Sequence, residues 1–234
     1  MSTGQPVGFE LEWRPPRRPI PTVLEGRYVR LRSPDAVADA DALYAESHPP
    51  AVDPGHWTYM WDGPYRDPAE LREWLRGAES SQDPLVFVLV KLPDERPAGV
   101  AAYHRITPEH GVIEIGGIWF GGSLRRTPAA TEAIYLLAAH AFDELGYRRL
   151  EWKCDSLNAG SRRAAERFGF RFEGIFRSHM VIKGRNRDTA WYAITDDEWP
   201  AVSAGFRAWL DPSNFDEEGR QRRPLAELID EARR

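Results

Sequence analysis

The spacing of apolar residues changes period several times along this chain, and each change marks an element. Val23, Tyr28, Val29 and Leu31 form a short strand-like run. Ser33-Pro34-Asp35 then predicts a helix start, with Ser33 capping and Pro34 in the first helical position, and this helix runs to about Glu46. Asp67-Pro68-Ala69-Glu70 repeats the cap-and-proline signature and opens a second helix, to about Glu79. Residues 85 to 92, 98 to 106 and 112 to 120 read as strands joined by short turns, which predicts an antiparallel meander. The period then lengthens, because Ile134, Leu137, Ala138, Ala141, Phe142 and Leu145 recur on one helical face before Gly146 stops it.

Leu150, Trp152 and Cys154 alternate with Glu151, Lys153 and Asp155 in a strand that must run parallel to the third meander strand if the long helix is a right-handed crossover. A short helix from 159 to 168 ends at Gly169. Residues 170 to 181 and 189 to 194 predict a hairpin around Lys183-Gly184-Arg185-Asn186, and 199 to 210 a final helix. Residues 48 to 66 show neither period but are dense in Pro, Gly and aromatics, which suits a functional loop. Proline-rich residues 1–21 predict an arm extended over the surface or left disordered, 22–210 the domain, and 211–234 a charged tail with a weakly amphipathic end.

Composition narrows the function classes. With 234 residues, 42% hydrophobic and 29% charged, the chain has length for one domain with a substantial core. No stretch approaches the roughly 18 apolar residues of a membrane span, so a cytoplasmic protein without a membrane partner is expected. Cys154 is alone, which excludes an internal disulfide and leaves no Cys/His spacing for a zinc site. The net charge of -5 argues against a nucleic-acid partner. His104, His110 and His140 have no Ser or Cys elbow near them, so a hydrolytic triad has no support.

Two segments carry a family resemblance. Leu124-Arg125-Arg126-Thr127-Pro128-Ala129-Ala130-Thr131-Glu132-Ala133 resembles the acetyl-CoA pyrophosphate motif of GNAT acyltransferases, Arg/Gln-x-x-Gly-x-Gly/Ala, with the Thr-Glu-Ala that commonly follows it. Asn158-Ala159-Gly160-Ser161, continuing to Gly169-Phe170, is similar to the family's Asn-x-x-Ser…Gly-Phe segment. The resemblance is to the RimJ/RimL-type branch, named for ribosomal-protein N-terminal acetyltransferases, and covers about Val23 to Trp199. It implies an α/β (α+β) fold: a mixed, mostly antiparallel sheet of about seven strands flanked by helices, with a parallel pair splayed around an acyl-CoA.

The resemblance also implies acetyl-CoA as co-substrate without a metal, and an amine acceptor that is a protein or a small molecule. A homodimer is the assembly to test. Expected cofactor contacts are Ile118, Trp119, Phe120, Arg125, Arg126, Thr127, Ala129, Ala130, Thr131, Asn158, Ser161 and Arg163; Trp57, Tyr59, Trp61 and Glu114 would meet the acceptor. The anion site also follows from physics, since a strand ending in Gly121-Gly122 before a helix N-terminus presents unpaired N–H groups and a favourable dipole to phosphates.

Glu114, 11 residues before Arg125, is the candidate base that takes the ammonium proton, its alternative being a solvent-facing strand residue. Gly116-Gly117 beside it suits a β-bulge, and backbone N–H groups near Ile118 and Trp119 suit an oxyanion. Ser161 reads as a proton donor to the CoA thiolate or as a helix-capping hydroxyl; Asn158 is equally double. Two departures favour a non-catalytic acyl-CoA-binding or partner-binding module instead: Pro128 replaces the motif's central glycine, and Ala165 stands where many members carry tyrosine.

Overall fold

The computed structural model describes residues 4–234; Met1–Thr3 of the expected arm lie outside the described residues. Strands β1 (Leu24–Glu25) and β2 (Val29–Arg32) lead into helix α1 (Ala36–Ser47), and α2 (Pro68–Ser80) follows the aromatic loop. The meander is β3 (Leu85–Lys91), β4 (Arg96–Thr107) and β5 (Val112–Phe120). Helix α3 (Pro128–Ala139), extended by a wider turn over His140–Glu144, crosses to β6 (Arg149–Asp155). Helix α4 (Ala159–Arg167), the hairpin β7 (Arg171–Ile182) and β8 (Arg185–Thr195), α5 (Trp199–Leu210) and α6 (Leu225–Ala232) complete it.

The strands form one sheet in the order β1-β2-β3-β4-β5-β6-β8-β7, in which β5 and β6 alone run parallel. Eight strands replace the expected seven because the first run breaks at Gly26, where Gly26 N–H bonds Val29 O at 2.9 Å and β1 folds back on β2. Helix α1 begins later than Ser33-Pro34 predicts. Asp35 is its cap, since one carboxylate oxygen accepts from both Val37 N (3.0 Å) and Ala38 N (2.9 Å).

Alternation along the strands feeds two cores. Leu85, Phe87, Leu89, Ala101, Tyr103, Ile113, Ile115, Leu150 and Trp152 face α3, α4, α5 and α6. Val86, Val88, Val90, Val100, Ala102 and Trp119 face α1 and α2. This second apolar layer stops at β4 and β5. Beyond it the same strand faces carry His104, paired across with Glu114, then Glu151 and Lys153.

The two ends are built into the fold. Trp13 donates to Glu109 O (3.0 Å) and Arg18 to Ile106 O (3.2 Å), so the arm lies over the β4–β5 turn. Residues 211–234, expected as a charged tail, instead pack Leu225, Leu228 and Ile229 of α6 onto α5. A Cβ on Gly205 would sit 2.5 Å from Ile229 Cγ1, so glycine there permits the approach. No described helix is long and apolar enough to cross a membrane.

Glu132, the motif's glutamate, is structural: its buried carboxylate accepts from Arg27 N (2.9 Å), Tyr28 N (2.6 Å) and Val29 N (3.0 Å), tying α3 to the β1–β2 corner. Glu132→Ala strands these donors and should lower stability by about 3 kcal/mol, with Glu132→Gln losing less. Urea denaturation checks this; a loss below about 1 kcal/mol would mean that water replaces the carboxylate at no cost.

Candidate active site

β5 and β6 are joined by only three register pairs, Val112↔Arg149, Ile113↔Leu150 and Glu114↔Glu151. Past them β5 pairs only with β4 and carries an extra residue, because Ala102 faces Gly116 while Val100 faces Trp119. Gly117 takes the left-handed conformation this bulge needs (φ 59). The strands part here, opening a cleft of about 1460 Å³ whose walls include Ile118, Trp119 and Phe120 on one side and Trp152, Lys153 and Cys154 on the other.

One end of the cleft is built for an anion. Gly121 and Gly122 carry the chain between Ala98, Glu46 and Ala51, where a Cβ would come within 2.5 Å of Ala98 O or 2.6 Å of Ala51 O. Glu46 fixes this turn through Ser123 N (2.9 Å). Thr127 caps α3, donating to Leu124 O (2.6 Å) and accepting from Ala130 N (3.4 Å), and Pro128 occupies the first helical position, where the helix needs no N–H.

Arg167 of α4 reaches this helix start. It donates to Thr131 Oγ1 at 3.1 and 3.2 Å, and among the described residues no carboxylate lies at ion-pair distance. Its guanidinium lies over the Phe168 and Trp209 rings, and burial lowers its pKa. A cation held beside a helix N-terminus without a counter-ion fits phosphate oxygens. Phe215, Arg220 and Gln221 from the C-terminal segment complete this end.

The other end holds titratable groups. Glu114 is buried, and its Oε2 meets Arg105 (2.5 Å) and Lys153 Nζ (3.1 Å). Its Oε1 and the His104 ring face the backbone at Gly116: a Cβ built there would lie 3.0 Å from Oε1 and 3.5 Å from His104 Nε2. That Nε2 is buried without a hydrogen-bond partner among the described residues. Burial, against the opposing pull of Glu114, moves the His104 pKa below its ordinary 6.5, so the imidazole is neutral at pH 7.

His56 and Arg125 touch through Nδ1 between the two ends. Burial first and the Arg125 charge second push His56 down to about 4, leaving the ring neutral and able to accept. Ser161 Oγ accepts from Trp152 Nε1 (2.9 Å), while Asn158 Oδ1 caps α4 at Ser161 N (3.0 Å). Burial pushes the neighbouring Cys154 thiol up, partly opposed by its hydrogen bond with Ser161.

Most expected residues therefore meet in one cleft: Glu114, Ile118, Trp119, Phe120, Arg125, Arg126, Thr127, Ala130, Thr131, Asn158 and Ser161, with Tyr59 and Trp61 at the acceptor end. Three do not line it. Ala129 is buried, Arg163 is exposed, and Trp57 is core, donating to Ser47 O (3.0 Å) and packing on Trp119. Asp53 and Asp62 of the aromatic loop serve local structure, capping Gly55 N (2.7 Å) and holding Trp74 Nε1 (3.2 Å). Sequence reasoning missed Arg167 and His104. Arg167 continues the Gly160 and Ala164 stripe at helical spacing, which is a readable signal; His104 shares a face with Glu114 only through strand register.

Comparison with known proteins identifies the family. The Acetyltransferase (GNAT) domain family matches residues 29–171. A GCN5-related N-acetyltransferase from Brucella melitensis superposes with a TM-score of 0.91 at 48% identity, over 94% of this chain and 99% of that one. A crystal structure titled a probable acetyltransferase of the GNAT family, from Chromobacterium violaceum ATCC 12472, gives 0.75 at 40% identity, over 84% and 97%. In Bacillus subtilis (strain 168), "Putative ribosomal N-acetyltransferase YdaF" is 29% identical over 46% of this chain. The aligned part spans 58% of YdaF and 39% to 65% of the other two curated relatives. The match across both halves of the cleft establishes that this chain belongs to the GNAT acetyltransferase family.

Proposed function

We propose that the protein transfers an acetyl group from acetyl-CoA to a primary amine. The observation that carries this reading is a single cleft through the β5–β6 splay that joins an anion-binding helix start to a neutral, unpartnered imidazole. Relatives support it in name: YdaF is described as a ribosomal N-acetyltransferase, which favours the RimJ/RimL-like branch, and a 19% identical structure of the same fold, MccE, is titled a complex with acetyl-CoA and AMP.

Acetyl-CoA would supply the thioester and its leaving thiolate. Its phosphates fit the α3 N-terminus, Arg126 and Arg167; its pantetheine fits between Ile118–Phe120 and Trp152–Cys154, with the Asn158 side-chain amide at hand. Pro128 at the first helical turn is compatible with this, which weakens one of the two grounds for the non-catalytic alternative; the other, Ala165 in place of a tyrosine, stands.

An ammonium acceptor must lose a proton before it attacks. His104 Nε2 is assigned that proton because it has no hydrogen-bond partner among the described residues, whereas the Glu114 carboxylate is paired with two cations, Arg105 and Lys153, which makes it the weaker base. Glu114 stands beside the ring, where its charge stabilises the imidazolium that forms. Backbone N–H groups at the Gly117–Trp119 bulge would receive the developing oxyanion. The Ser161 hydroxyl, oriented by Trp152, would return a proton to the departing thiolate.

Calorimetry in metal-free buffer tests the cofactor end: Arg167→Gln should weaken acetyl-CoA binding by about tenfold or more, while Arg163→Gln leaves it unchanged. The reverse ranking would move the phosphates off Arg167. Steady-state kinetics test the other end. His104→Gln should lower kcat by ~10² to 10⁴ with acetyl-CoA affinity preserved. Because neutral His104 is the active form, the wild-type rate should fall as pH drops through an ionisation below 6.5, and His104→Gln should lose that limb. A fully active His104→Gln beside an inactive Glu114→Gln would return the base role to Glu114.

A further inference from the structure

Around the titratable end of the cleft, ion pairs engage Arg149, Lys153 and Arg105 but not Arg187. Arg149 binds Glu173 (2.5 Å) and Glu151 (2.8 Å); Lys153 binds Glu151 (2.6 Å) and Glu114 (3.1 Å); Arg105 binds Glu114 (2.5 Å). Arg187, on the same side of β8 as Thr189 and Trp191, is left over. It is 6% exposed and lines the cleft, its Nε donates to Thr189 Oγ1 (3.2 Å), and its guanidinium lies 5.7 Å from the Trp61 ring centre. Among the described residues no carboxylate comes within ion-pair distance of it. Asp155 acts on it only through its field, with one carboxylate oxygen accepting from Leu157 N at 2.9 Å.

A buried guanidinium is costly without an anion, and its planar fork of terminal N–H groups matches a carboxylate or phosphate edge. We propose that the acceptor is a small zwitterionic amine whose carboxylate or phosphate binds Arg187 while its amino group faces His104 and Glu114. This rests on the acetyl-transfer reading above and names the substrate class for the same site.

Two further observations favour a small molecule over a peptide threading through. Lys183, in the β7–β8 turn, donates to Trp57 O (3.2 Å), Asp62 O (3.3 Å) and Gly63 O (2.6 Å), fastening the aromatic loop to the hairpin. Trp61 of that loop in turn lies against Arg187. Loop and hairpin thus close together on the side where the anion would sit, with Tyr59, Met60 and Trp61 as an apolar wall for the acceptor's body.

Two measurements decide it. In the first, CoA-saturated protein, whose phosphate end is filled, is titrated with inorganic phosphate and with acetate, following thermal stability and tryptophan fluorescence. Wild type should bind one of them, the better anion telling phosphate from carboxylate, and Arg187→Gln should weaken that binding at least about tenfold. In the second, wild type alone is assayed with matched pairs: O-phosphoethanolamine against ethanolamine, and L-phenylalanine against phenethylamine. The anionic member of one pair should lead by about tenfold or more in kcat/KM, through KM.

Equal anion binding by wild type and Arg187→Gln, or faster turnover of the neutral member in both pairs, overturns the proposal. If no pair turns over, the anion titration decides alone, and it needs no folded variant to fail, since absence of phosphate and acetate binding to wild type is sufficient. Loss of the acetyl-transfer reading is separately visible as failure to bind CoA. In that case the difference between wild type and Arg187→Gln still reads the anion site.

Discussion

Everything in the cleft depends on β5 and β6 pairing for three residues and then parting. A parallel pair that continued would bury its backbone groups in a ladder and leave no passage between the two faces of the sheet. The bulge at Gly117 prevents this by adding a residue to β5 against β4 and turning the strand away. Once open, the splay joins the α3 and α4 face, which carries a helix N-terminus and Arg167, to the opposite face, where strand alternation has placed His104, Glu114 and Lys153. The anion end is held rigid from both sides: Glu46 grips the turn before α3, and Glu132 fixes α3 itself to the sheet edge.

Charge is distributed with the same logic. Glu114, Glu151 and the exposed Glu173 form a chain of ion pairs with Arg105, Lys153 and Arg149, so the buried carboxylates Glu114 and Glu151 are accounted for by protein cations. Among the described residues Arg167 and Arg187 line the cleft without an ion pair, as Arg125 and Arg126 do, and His104 Nε2 lines it without a hydrogen-bond partner. Buried polar atoms in a folded protein are normally satisfied. Of the buried side-chain atoms without a partner among the described residues, His56 Nε2 and His104 Nε2 belong to the cleft, where a ligand would complete their hydrogen bonding, whereas Tyr147 Oη and Trp191 Nε1 lie outside it.

The crossover unit is legible in the sequence because its signals are local: period two on β5 and β6, a helical stripe on α3, glycines at the turn and a capping Thr127. The expected site residues on that unit, between Ile118 and Thr131 and at Asn158 and Ser161, come from the resemblance of its two motifs to the family's, and all but Ala129 line the cleft. What is not legible depends on tertiary contact. Trp57 looks like its neighbours Tyr59 and Trp61, and only the packing of Trp119 and Gly63 against it makes it core. Arg163 and Arg167 share a helix, and the difference between them is which faces α3. The last 24 residues read as a charged tail with a weakly amphipathic end because α6 is only two turns long and charged residues precede it, yet Ile229 finds a seat made by Gly205 and Gly169. His104 has no motif at all; its importance arises from the partner across the strand and from having none of its own.

The most direct test is a crystal structure of the protein with CoA bound. The phosphates should lie against the first turn of α3 and Arg167, the pantetheine between Ile118–Phe120 and Trp152–Cys154, and the sulfur on the side of the splay that faces His104 and Ser161. CoA bound outside the β5–β6 splay, or a sulfur directed away from His104 with the two strands closed into a continuous ladder, would contradict the account.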